Sequence, residues 1–306
     1  MDKKNLHLKD KISIGLSLEI TPRQYQELFK KYQDYLHSLY FSPPLNGKYH
    51  SRTKISEQFS NPENVKRFYE ILELAKEEGI LLDCVLNRPT IREQDVDQAL
   101  PFIEQIGADQ ITCLQKHIDI VSSTFPTKEM IYSYNNDLTP RDIPNISPKF
   151  STVVVAKSFL RDKTLLKQLA ERGFKLKPLV NNGCSYNCGG CQSGNRQCQS
   201  TFDRNYQKSG ANYLYALQSF YPDELEILLN MMEEEQIPLE SVKISNRTDD
   251  YEYLDKCLTS YIEQRDPSTY TSENVSNYRL WLRLGAFNSH LTELDQEQIK
   301  TFKKRM

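Results

Sequence analysis

The sequence predicts an α/β fold, a single TIM-type (β/α)8 barrel with a cysteine-rich insertion after its seventh strand. Three observations carry this expectation. Short apolar strands alternate with amphipathic helices along most of the chain, the pattern of a parallel sheet with right-handed crossovers. Eight such units fall before residue 266, and eight units close a barrel. The 306 residues, 38% of them hydrophobic, suffice to build one large domain.

Lys11 to Leu18 alternates as a strand does, and the segment from Arg23 to Leu36 places Tyr25, Leu28, Phe29, Tyr32 and Leu36 on one helical face. Ser38 to Ser42 reads as a second strand, stopped by Pro43 and Pro44. A second helix follows, with Asn61 as its cap, Pro62 in its first turn, and Val65, Phe68, Leu72 and Ala75 as its buried stripe. Gly79 ends it.

Ile80 to Leu86 gives a third strand, Gln94 to Gln105 a helix in spite of Pro101, and Asp109 to Leu114 a fourth strand. Met130 to Asn135 and Thr152 to Lys157 are the fifth and sixth strands, with Leu165, Leu166, Leu169 and Ala170 lining the helix after the sixth. Phe174 to Val180 is the seventh. An irregular excursion from Gln192 to Ser219 leads to a helix from Pro222 to Glu235, a strand from Ser241 to Ile244 and a helix from Tyr251 to Tyr261. Residues 1–265 thus read as the barrel, with a metal loop at 181–200, and 266–306 as a helical extension packed on the outside. No repeat of 20 to 50 residues exists beyond the βα alternation, and no low-complexity run.

Lys and Arg number 39 against 41 Asp and Glu, a net charge of -2, which argues against extended nucleic-acid binding through a broad basic surface. The segment from Met1 to His7 has no apolar core, and no run reaches the roughly 18 apolar residues of a membrane span. A cytoplasmic protein without a membrane partner is expected.

Four of the seven cysteines lie within residues 184–198, which fits a metal site in a reducing compartment better than a disulfide framework. Cys84, Cys113 and Cys257 stand alone in apolar surroundings and read as buried thiols. Cys184, Cys188 and Cys191 have C-x3-C-x2-C spacing where a strand runs out into a glycine-rich loop, an arrangement that holds a [4Fe-4S] cluster by three cysteines. Cys198 is the candidate fourth ligand; a zinc loop closed by the same Cys198 is the alternative. With Cys198 bound, the cluster passes electrons or polarises its surroundings. With the fourth iron open, it can take S-adenosylmethionine and deliver one electron into a C–S bond.

Residues just past the strands of a barrel converge on one cavity. By that rule Asn87, Arg88, Asn135, Lys157, Asn182, Asn246 and Arg247 are the candidate substrate-binding residues, suited to a polar and anionic ligand. Asparagine also terminates strands by making turns, the plain reading of any single one; recurrence at four strand ends favours the site. No catalytic residue stands out. His7, His37, His50, His117 and His290 are isolated, and neither H-E-x-x-H nor G-x-S-x-G occurs, which leaves a hydrolase without a recognisable nucleophile or zinc-bound water.

The three-cysteine motif resembles the signature of the radical S-adenosylmethionine superfamily. That resemblance implies a full or partial barrel whose cluster cleaves the cofactor to a 5'-deoxyadenosyl radical. A second resemblance covers more of the chain. Val242-Lys243-Ile244-Ser245-Asn246-Arg247, followed by Asp250-Tyr251 and later Tyr261, is similar to the Leu-Lys-Ile-Glu-Gly-Arg segment and downstream tyrosine of the collagenase-like family called peptidase U-thirty-two, in which a cysteine-bearing stretch also follows a late strand. Members of that family include cluster proteins of oxygen-independent hydroxylation, acting on transfer RNA, ribosomal RNA or the ubiquinone precursor. This likeness implies a [4Fe-4S] enzyme that needs no dioxygen, and it carries over to Arg247 and the cysteines.

The expected function is therefore that of an iron-sulfur oxidoreductase or radical-type enzyme modifying a polar small molecule, a nucleoside or a peptide, by way of S-adenosylmethionine or oxygen-independent hydroxylation. An electron-donor protein fits as a partner. The alternatives are a peptidase-like hydrolase and a non-catalytic binding protein stabilised by zinc or a cluster.

Overall fold

A computed structural model describes residues 6–45, 49, 57–88, 90–133, 141–156, 160, 163–181, 222–245 and 250–263. Eight parallel strands run in sequence order: β1 (Ile12–Gly15), β2 (Leu36–Phe41), β3 (Leu81–Leu86), β4 (Gln110–Cys113), β5 (Glu129–Tyr132), β6 (Thr152–Ala156), β7 (Lys175–Leu179) and β8 (Val242–Ile244). They form a closed barrel in which each strand pairs with the next. Closure falls to β1, which pairs with β2 from Ile12↔Leu36 to Gly15↔Tyr40 and with β8 from Ile12↔Val242 to Ile14↔Ile244. The expected (β/α)8 architecture is the observed one.

The helices sit outside. They are α1 (Pro22–Tyr32), α2 (Pro62–Glu77), α3 (Glu93–Ile106), α4 (Ile118–Thr124), α5 (Lys163–Glu171), α6 (Pro222–Glu234) and α7 (Tyr251–Glu263). Their starts are written locally. Thr21 accepts a hydrogen bond from the Gln24 backbone N–H while the Gln24 side chain receives that of Thr21, and Pro22 occupies the first turn. Asn61 caps α2 by accepting from the Glu63 N–H at 3.0 Å. Gly107, at φ 61°, ends α3 in the left-handed conformation that a side chain would strain.

Between sheet and helices lies one continuous apolar layer. Tyr25, Leu28, Phe29 and Tyr32 of α1 are all buried there. Phe68 of α2 stacks edge-on against Phe41 of β2, with ring centroids 5.5 Å apart, and tilts against Phe102 of α3 at 6.3 Å. Such pairs add about 1 kcal/mol each to the area they bury. Cys84 and Cys113 lie in this layer and Cys257 on α7, all three buried thiols outside any disulfide, as expected.

The end of α1 and one short helix differ from expectation. Leu36 belongs to β2, where it pairs with Ile12, and α1 stops at Tyr32. The step from Tyr32 to Leu36 fits a helical face, but the Tyr35 N–H bonds back to the Tyr32 carbonyl in a turn that releases the chain into the strand. The segment between β4 and β5 carries α4, seven residues for which the sequence predicts no helix. Among the described residues, no helix is long and apolar enough to cross a membrane. The 266–306 extension lies outside the described residues.

Candidate functional site

In a closed barrel alternate strand residues point inward, so the inner wall can be read off the register. Here that wall is polar. Ser13 of β1 bonds to Ser38 of β2 at 2.6 Å and to Ser241, just before β8, at 2.8 Å. Across from them Lys177 of β7 donates to Asp83 Oδ2 of β3 at 2.9 Å, and Thr112 of β4 donates to Asp83 Oδ1 at 2.6 Å. Neither the Lys177 nor the Asp83 side chain has any exposed surface. The apolar share of the inner wall consists of Tyr40, Val85, Ile131 and Val154, which stand apart from the outer layer.

One step nearer the carboxyl ends, the Lys243 ammonium sits 4.0 Å from the centroid of the Tyr40 ring, and the Tyr40 hydroxyl donates to the Ile244 carbonyl at 2.8 Å. Gly15 of β1 makes room for this ring: a Cβ there would lie 2.8 Å from Tyr40 Cζ. Burial alone would push the Asp83 carboxyl up, but the charges of Lys177 and Lys243 and the hydrogen bonds from Thr112 and Lys177 outweigh it and hold it below the ordinary carboxylate value.

A second network occupies the amino-terminal end of the barrel. Glu240, which precedes β8, accepts from Lys175 at 2.8 Å and Gln110 at 3.1 Å and meets His37 Nε2 at 3.1 Å. Glu129, the first residue of β5, accepts from Gln110 at 2.7 Å and from Thr152 at 3.1 Å. Burial raises the Glu240 carboxyl, while His37 and Lys175 lower it further, to about 2.

At the carboxyl-terminal mouth, Asn181 ties the end of β7 to the end of β8. Its side chain accepts from the Ser245 N–H at 2.6 Å and donates to the Ser245 carbonyl at 2.9 Å. The cysteine segment begins three residues beyond this clamp. Asn87 donates to Ser133 Oγ at 2.8 Å, joining the ends of β3 and β5, and Arg88 is half-buried beside it. Thus Asn87 and Arg88 do stand at the mouth. Asn135, Lys157, Asn182, Cys184, Cys188, Cys191, Cys198, Asn246 and Arg247 lie outside the described residues. Among the described residues no cluster of three His, Cys, Asp or Glu forms a metal site. Burial pushes the Cys113 thiol up to about 12 and that of Cys84 well above its ordinary value, so both stay protonated.

Sequence reasoning missed Asp83, Lys177 and Lys243. The signal was present in β7, where Lys175 and Lys177 flank Leu176 at period two. A strand covered by helices on its outside can only turn such lysines inward.

The chain is thus a closed (β/α)8 barrel with charged groups on its inner wall. No family model matches the sequence, and no curated protein does. Among solved structures, a U32 peptidase superimposes with a TM-score of 0.50 at 10% identity, over 78% of this chain and 94% of its own. A mutant tryptophan synthase α-subunit from the hyperthermophile Pyrococcus furiosus gives a TM-score of 0.50 at 8% identity, over 83% of this chain and 98% of its own. Both likenesses are of fold.

Proposed function

We propose that this barrel is an iron-sulfur enzyme. Cys184, Cys188 and Cys191 hold a [4Fe-4S] cluster over the carboxyl-terminal mouth, with Cys198 as candidate fourth ligand, and the substrate is a polar small molecule, nucleoside or peptide. The carrying observation is the strand end that feeds these thiols. Asn181, on the face where barrel enzymes place their active groups, is fixed to Ser245 by two hydrogen bonds, and in sequence the first cysteine follows three residues later. The donor set fits such a cluster: Cys84 and Cys113 are protonated and buried on the outer side of the sheet and Cys257 is buried on α7, which leaves ligation to the clustered four.

Bound there, the cluster would supply single electrons, to S-adenosylmethionine at an open iron or to an oxygen-independent hydroxylation. Asn87 and Arg88 at the mouth, with Asn135, Lys157, Asn182, Asn246 and Arg247 on neighbouring strand ends, would orient the substrate. The likeness of Val242–Arg247 to the peptidase U-thirty-two segment points the same way, and the barrel shared with a U32 peptidase supports an enzyme-like fold.

Protein purified without oxygen is expected to carry about four irons and four sulfides per chain, with a paramagnetic signal on reduction. Substituting Cys184, Cys188 or Cys191 by Ser removes the iron; Cys113→Ala keeps it. If Cys198→Ala also keeps it, S-adenosylmethionine with a reductant is expected to yield 5'-deoxyadenosine. Iron-free protein carrying zinc on the same thiols overturns the proposal.

A further inference from the structure

Three neighbouring strands carry serine twice at a spacing of four residues: Ser13 and Ser17 at β1, Ser38 and Ser42 at β2, Ser241 and Ser245 at β8. An even spacing turns both members of each pair toward the bore. Strand pairing persists to the upper members, since the Leu16 N–H bonds to the Tyr40 carbonyl and the Ser245 N–H to Asn181. Two sets of three serines therefore stand one above the other, the lower in the middle of the barrel and the upper at its carboxyl-terminal mouth.

The lower set is closed. Its hydroxyls serve one another, Ser13 to Ser38 at 2.6 Å and Ser13 to Ser241 at 2.8 Å. The upper set is open. Ser17 accepts from the Glu19 N–H at 3.3 Å. The Ser42 hydroxyl, on a residue only 4% exposed, has no hydrogen-bond partner among the described residues. Between the two sets the same strands place Gly15, Tyr40 and Lys243, and the Tyr40 ring fills that layer with its hydroxyl anchored to the Ile244 carbonyl. The ring shields the upper hydroxyls from the lower ones.

An unmet buried hydroxyl is a standing cost to the fold. The lower set shows how these strands meet that cost, with another hydroxyl. At the end of β5 the Ser133 hydroxyl accepts from Asn87, which commits its oxygen and leaves its proton to be given.

We propose that the mouth binds the hydroxyls of a sugar ring, one of them taking the place beside Ser42 that Ser13 holds beside Ser38, with Ser133 donating to a second. Serine hydroxyls give and accept alike, so they pair with ligand hydroxyls in either sense. They also bring no charge for a ligand to balance in a dry site. The sugar is free or is the ribose of a nucleoside. This narrows the substrate reading above and rests on it in taking the mouth as the substrate's place.

Thermal melting of the full chain without added ligand is the first test. Ser38→Ala, which breaks the closed set, is expected to lower the midpoint; Ser42→Ala, which removes an unmet group, leaves it unchanged or raises it. The second test titrates the protein with D-ribose and D-glucose, and with adenosine against 2',3'-dideoxyadenosine, by calorimetry and saturation-transfer resonance. Saturable binding of a sugar, or of adenosine over its dideoxy form, is expected. It weakens about three- to tenfold in Ser42→Ala and in Ser133→Ala, the loss of one neutral hydrogen bond, and persists in Ser38→Ala. Binding of the sugars assigns a free sugar, and binding of adenosine alone assigns a nucleoside's ribose. A midpoint that falls in Ser42→Ala as far as in Ser38→Ala, no saturable binding of any hydroxylated probe, or undiminished binding in Ser42→Ala overturns the proposal. Iron counted on the same samples keeps the two readings apart: iron-free protein that binds a sugar leaves this site standing without the cluster, and iron-loaded protein that binds no hydroxylated probe ends this proposal alone.

Discussion

The two faces of one sheet solve opposite problems. Its outer face meets the helices in a continuous apolar layer, where Phe41, Phe68 and Phe102 pack ring against ring. Its inner face, on the same strands one residue over, carries Ser13, Ser38, Asp83, Thr112 and Lys177, all fully buried. The outer face supplies the stability, because apolar area removed from water is favourable without further condition. The inner face is stable only while its charges remain matched. Neighbours in sequence, such as Asp83 and Cys84, therefore do unlike work.

Truncation and charge removal separate the two. Phe68→Ala empties a site ringed by Phe41, Phe59, Tyr69 and Phe102 and is expected to lose about 3–5 kcal/mol in urea unfolding at any pH where the protein folds. Lys177→Met is expected to lose a similar amount, about 3–5 kcal/mol, by leaving Asp83 buried without its nearest cation. The inner loss differs in being reversible: Lys177→Met combined with Asp83→Leu recovers most of it, which no second change does for Phe68→Ala. A double variant as unstable as the single one would erase the distinction between the faces.

Acid makes the next largest difference. Glu240 is held at about 2, below the ordinary value of 4.5, so its carboxylate contributes stability that is complete above 4.5 and lost as the pH falls toward 2. That contribution is about 3 kcal/mol, and unfolding midpoints followed from pH 6 to pH 2 should flatten in Glu240→Gln. Gly15→Ala comes next. Its added methyl meets a Tyr40 ring already held by Lys243 and by the Ile244 carbonyl, and about 1–3 kcal/mol is expected to be lost. Smallest is Asn181→Ala, about 1 kcal/mol in global stability. Its larger effect falls on faster amide exchange at Ser245, whose N–H it leaves without an acceptor.

The barrel was legible because βα alternation is a property of short windows, and caps such as Thr21 and Asn61 are written in adjacent residues. Leu36 was misplaced because a step of four residues suits both a helix face and the start of a strand after a turn. Helix α4 escaped because seven residues hold less than two full turns of pattern. The mouth was legible as far as Asn87 and Arg88, whose position follows from where β3 ends. The inner charges were not, since a lysine in a strand ordinarily signals a solvated face; only the barrel's closure, which hides both faces of every strand, reverses that meaning.

The sealing of one ion pair inside the bore has a consequence for the mouth above it. Salt damps interactions between groups that ions can approach, over about 10 Å at ordinary ionic strength, but Asp83 and Lys177 are sealed from solvent. That pair therefore keeps its mutual attraction at any ionic strength, inside a molecule whose total charge is close to zero. The wall beneath the mouth is therefore expected to keep the same arrangement in dilute and in concentrated salt.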